Sequence, residues 1–253
     1  MNFQFQEGRS FFHRLDPLSK FIWLLCVSLV ALSSERAFSQ TVLLMLVILI
    51  GAVWGKLPWR TIWRGVRIPF WFGVPYFVLQ LLFLPGQTEI FSFGSYTLTA
   101  EALDYAVAVT ERLLTLVLAS FLYIVTTDPR DVVLAMAQKL RIPYRFAFAV
   151  SIALRFLPIL ETEAQLLRSA QRLRGGDPKG LREKLEWNKR FAFSVFTAAV
   201  RHVQQTAEAM ENKAFGAARE RTYRRQINVP RSGIILAAGS VLLTSIVLGF
   251  FIF

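Results

Sequence analysis

Reactive side chains are sparse in this 253-residue sequence, and the ones with suggestive spacing are cations at helix ends. The stretch "AQRLRGGD" at 170–177 closes a helical pattern on Leu173-Arg174-Gly175, with Gly175-Gly176 able to take a left-handed cap. A second basic tip, Asn212-Lys213-Ala214, precedes Gly216. One such tip is explained by the helix dipole, which favours a C-terminal cation by about 0.3–1 kcal/mol. Two tips, each followed by a glycine break, suggest a pair of cationic prongs and hence a docking surface. The guanidinium fork of Arg174 suits bidentate contact with a carboxylate, so the matching partner surface is acidic.

Other chemistry is hard to assemble. Glu111 and Arg112 lie inside an apolar run, where charge is a default hint of an ion or proton path. An interfacial or interhelical ion pair is the structural alternative. His13 and His202 are far apart in sequence, Cys26 is the single cysteine, and no Cys/His metal spacing or disulfide framework exists. "RLRGGD" lacks the first glycine and the Lys-Ser/Thr ending of a phosphate-binding loop, and no nucleophile stands beside a base. The expectation is a non-enzyme with no cofactor or metal of its own.

The elements that must position these residues are mostly membrane helices. The chain is 54% hydrophobic with 23 Phe and 6 Trp, and 18% charged, against roughly a quarter charged in soluble domains. A span needs about 20 apolar residues. The runs are Phe21–Leu32, Thr41–Trp54, Ile68–Leu84, Ala102–Val125 and Ser232–Phe253, giving about five spans. The first run is read as an uncleaved helix that starts at Asp16-Pro17. Pro69, Gly73 and Pro75 predict kinks in the third.

Charge sets the orientation. Lys and Arg gather before the first run and between the second and third, while Pro85–Ala102 has none. Asp128–Pro230 holds 19 of the 29 Lys and Arg. This pattern places the N-terminus and that long region inside, and the C-terminus outside. The net charge of +12 is thus a membrane-orienting excess, and no nucleic-acid partner is expected.

The long basic region predicts helices of its own. Asp128 and Pro129 form an N-cap and first position. Ile142–Leu160 reads as a slanted, half-submerged helix holding Arg145 and Arg155, and Glu161–Arg174 as an amphipathic one whose apolar row Glu163 interrupts. Phe193, Phe196, Val200, Val203, Ala207, Met210 and Ala214 recur at alternating spacings of 3 and 4, a heptad seam for packing on another helix. Lys213 sits on the adjoining row with Ala199, His202, Thr206 and Ala209. The resulting division is 1–126 membrane helices, 127–230 a coupling domain of long crossed amphipathic helices, and 231–253 a last membrane helix, in an all-α membrane protein.

"HRLDPLSKFIWLL" (13–25), the block at 126–177 with "PYR", "RFLP" and "AQRLRG", and "AEAMENKAFGAARERT" (207–222) resemble the transmembrane T component of energy-coupling factor (ECF) ABC transporters. The resemblance implies an importer in a prokaryotic cell membrane. Its other parts are two ATPase subunits, which bind the ATP, and a membrane-embedded substrate-binding S component. It implies that Leu173-Arg174-Gly175 and Asn212-Lys213-Ala214 enter grooves of the ATPases, with Lys213 in place of the usual arginine. The Phe193–Met210 seam would then form the surface that moves beneath the S component. The cargo would be a vitamin, a vitamin precursor, or a cobalt or nickel ion. A stand-alone secondary transporter or channel using Glu111-Arg112 is the competing class.

Overall fold

The computed structural model describes residues 8, 10–84, 88–93, 96–140, 142–175, 180–217 and 230–252, with backbone alone at 89–98, 144, 174–175 and 250–252. The protein is an all-α membrane protein carrying one short β-hairpin. Its helices are α1 (Phe11–Arg14), α2 (Pro17–Ser33), α3 (Ala37–Leu49) with a π-helical turn Ile50–Trp54, α4 (Trp59–Phe83), α5 (Ala100–Thr126), α6 (Pro129–Lys139), α7 (Tyr144–Gly175), α8 (Leu181–Glu211) and α9 (Arg231–Ile252). Strands β1 (Glu89–Phe93) and β2 (Tyr96–Thr99) pair antiparallel between α4 and α5, with Phe91 opposite Leu98 and Phe93 opposite Tyr96. Two compact units result: one runs up to Ala135 and includes α9, and the other begins at Met136 and holds α7 and α8.

Among the described residues of the first unit, four helices are long and apolar enough to cross a membrane: Ala37–Trp54, α4, α5 and α9. The 17-residue α2 is apolar but shorter, about 26 Å at 1.5 Å per residue. Outward-facing Phe38, Trp71, Phe72 and Phe83 are largely exposed. Such a surface is stable in hydrocarbon and not in water.

Helix α5 is the centre of this unit, packing against α2, α3 and α4, while α9 lies on α2. The core joins Phe12, Trp23, Val47, Ile62, Leu118 and Leu122. Close approach is bought with glycine. A Cβ on Gly51 would stand 2.9 Å from Leu122 and one on Gly65 2.6 Å from Phe121. Small residues at such crossings let membrane helices gain dispersion contacts that lipid would otherwise supply.

Asp16 caps α2 by accepting from the Ser19 amide at 3.0 Å, with Pro17 at the first helical position. Lys20, 1% exposed, donates to the Thr126 carbonyl at 2.8 Å and so ties the start of α2 to the end of α5. Helix α4 continues through Pro69 and Pro75 and begins at Trp59, nine residues ahead of the apolar run.

Glu111 and Arg112 do not pair with each other. Thr41 donates to Glu111 at 2.8 Å, and Arg112 donates to the Ser34 carbonyl at 2.7 Å. Gln40, fully buried, donates to the Ala31 and Ser34 carbonyls. Gln40 and Arg112 thus satisfy carbonyls at the α2–α3 turn that a membrane otherwise penalises.

Candidate functional site

The second unit is built on two long helices that run antiparallel. Phe148, near the start of α7, stacks on Phe215, just past the end of α8, with centroids 4.6 Å apart. Midway, the His202 ring meets Glu163 at 3.0 Å and lies 6.5 Å from Phe156. Toward the other end, the Arg168 guanidinium lies 5.1 Å from the Phe191 ring and 5.8 Å from Trp187, which itself stacks on Phe191.

Sequence periodicity predicts two helices over 142–174, and the structure has one. Helix α7 passes through Pro158 without a break and holds both segments. The apolar-to-amphipathic change near Leu160 therefore falls inside one rod. Glu163 is not a flaw in an apolar row, because it faces α8 and is satisfied by His202.

The heptad seam is not what joins α8 to α7. Phe193 and Phe196 are 73% and 66% exposed, and Val200, Val203 and Ala207 are exposed as well. Only Met210 at its end is half-buried. The contact row instead runs through Trp187, Phe191, His202 and Thr206, close to the row that carries Lys213. The seam is therefore an apolar face left without a partner among the described residues.

Helix α7 ends on Leu173-Arg174-Gly175. Leu173 is 90% exposed. Arg174 and Gly175 are described by their helical backbone alone, and Gly176 and Asp177 lie outside the described residues.

The α8 end is defined in more detail. The Phe215 amide donates to the Met210 carbonyl at 3.0 Å and the Ala214 amide to Glu211 at 2.9 Å. Those two bonds are the 6→1 and 5→2 pair of a Schellman closure, with Ala214 at its left-handed position, φ +53°. Gly216 follows at φ +92°. The reversal turns Phe215 back onto Phe148 and leaves Lys213 exposed at the tip.

The two tips stand at opposite ends of the hairpin rather than side by side. The 31 residues of α8 span about 46 Å, which sets the scale of their separation. Sequence reasoning missed the Glu163–His202 pair, although a lone acid on one helical row and a lone histidine on the next were its signal.

Residues 8–224 match the family model described as cobalt transport protein (CbiQ). The chain is similar to the energy-coupling factor transporter transmembrane protein EcfT of Exiguobacterium sibiricum, 30% identical over 87% of this chain and 86% of the relative. The same-named protein of Heliobacterium modesticaldum is 31% identical over 85% and 84%, and that of Bacillus subtilis 28% over 88% and 88%. With apolar spanning helices, a long helical hairpin and these relatives, the chain belongs to the cobalt transport protein family, that of the energy-coupling factor transporter transmembrane components.

Proposed function

We propose that this chain is the scaffold of an ECF importer, carrying the motion of two ATPase subunits to a substrate-binding S component. The observation behind this reading is the antiparallel α7–α8 hairpin with a basic tip at each end. Tips at opposite ends of a hairpin whose α8 is about 46 Å long do not enter one groove, whereas they suit one groove on each of two ATPase subunits. ATP binding would draw the two subunits together and shift both ends of the hairpin. The exposed Phe193–Ala207 row is the surface available to slide beneath the S component. The hairpin lies on the cytoplasmic side, as the loop charges indicate.

The cargo class follows from the S component and is a vitamin, a vitamin precursor, or a cobalt or nickel ion. The bonds of Glu111 to Thr41 and of Arg112 to Ser34 favour a structural role for that pair over a transport path. Arg174→Glu with Lys213→Glu is expected to abolish co-purification of the ATPase subunits and substrate uptake. Normal assembly and transport in the double variant would overturn the reading.

A further inference from the structure

Between the first half of α7 and the end of α8 lies an open groove of about 580 Å³. Its walls are apolar, with Phe148, Ile152, Phe156, Met210 and Phe215 among them, yet Arg155 and Lys213 both line it and none of the described lining residues is acidic. Neither cation enters an ion pair among the described residues, and both are exposed. The two hydroxyls of the groove already donate to their own helices, Ser151 to the Ala147 carbonyl and Thr206 to the His202 carbonyl. Like charges sharing an apolar groove repel, and an anion between them reverses the sign of that interaction. The cations are also unequal: Lys213 offers a point charge, while Arg155 offers a planar fork.

We propose that Arg155 and Lys213 together form a two-cation seat for a carboxylate carried on an apolar helix of an ATPase subunit. This rests on the reading of Lys213 as a coupling tip, and it adds a residue from the other helix. The fork that the Asn212-Lys213-Ala214 tip lacks is supplied by α7. A protein carboxylate, rather than a lipid headgroup, is favoured by the surroundings. Lys213 belongs to the tip read as meeting an ATPase subunit, and the far end of the same helix carries Arg182, Glu186 and Arg190 in exposed i,i+4 pairs that suit water. The apolar walls would hold the helix body, and the desolvation they impose would strengthen the charge contact.

The test uses the full-length protein in nanodiscs and its cognate ATPase subunits as the probe, with affinity read by biolayer interferometry. Arg155→Gln is expected to weaken binding about tenfold without lowering the melting temperature of the protein alone. Arg155→Lys should lose less. Lys213→Arg should partly rescue Arg155→Gln, because a guanidinium returns to the seat. Wild-type affinity in Arg155→Gln, with Lys213→Glu still disrupting assembly, would overturn the seat and leave the tip. Wild-type affinity in Lys213→Glu would remove the underlying reading as well. A loss seen in phosphatidylglycerol nanodiscs but not in phosphatidylcholine ones would assign Arg155 to lipid and overturn the proposal. So would a lowered melting temperature with equal losses in Arg155→Gln and Arg155→Lys.

Discussion

Ala214 holds a left-handed backbone where the closing turn of α8 usually employs glycine. For a residue with a Cβ that conformation costs about 1 kcal/mol. Ala214→Gly is therefore expected to stabilise the hairpin by a few tenths to about 1 kcal/mol, the wider unfolded ensemble of glycine offsetting part of the relief. Thermal unfolding of the purified protein checks this, and an unchanged or lower midpoint would contradict it. Glu163 and His202 make a different case. Each is the other's partner across α7 and α8, so Glu163→Ala and His202→Ala should cost similar amounts, about 0.5–1.5 kcal/mol each. The double variant should cost little more than either single one, because the same contact is being removed twice. Neither residue's role is legible alone in the sequence. An acid on an apolar row reads as an error until the histidine opposite is known.

At the scale of elements, what the sequence makes plain is where apolarity and length coincide. Helix α5 is found to within two residues of the run at Ala102–Val125, and α9 within one of its start at Ser232. Helix α4 extends far beyond its apolar run, because Arg60, Arg64 and Arg67 belong to the same rod and long cationic side chains can reach water from a helix end. The β1–β2 pairing is weakly written in the sequence, where only "EIFSF" and "YTLT" on either side of Gly94-Ser95 carry a hairpin pattern. Helix crossing points were equally invisible, since a glycine required for close packing looks like any other. Gly65 is such a point, and its Cβ space is filled by Phe121. Gly65→Ala should destabilise the membrane unit by about 1–3 kcal/mol. Gly239→Ala, in α9 with nothing within 4 Å of the added carbon, should be neutral or slightly stabilising. Equal melting temperatures for the two variants would show that α4 does not press on α5 as closely as described.

For the whole molecule, orientation is a matter of charge, and charge is written in the sequence more plainly than packing. Basic residues cluster at Lys56–Arg67 and along Asp128–Pro230, and are missing from Pro85–Ala102. Moving such clusters across a bilayer opposes both their hydration and the positive-inside bias of insertion. The bias therefore predicts residues 55–58 and 128–230 on one side, and the α2–α3 turn and residues 85–99 on the other. The protein lends itself to a direct check, because its single cysteine, Cys26, is buried in α2 and gives little background. In intact cells a membrane-impermeant maleimide should label Arg36→Cys and Thr88→Cys, both at exposed or half-exposed positions. It should reach Lys56→Cys and Lys189→Cys only after the membrane is opened. The reverse pattern would place the α7–α8 hairpin outside, where no ATP-driven subunit could reach either basic tip. The proposal that Leu173-Arg174-Gly175 and Asn212-Lys213-Ala214 couple transport to ATP would then fall with it.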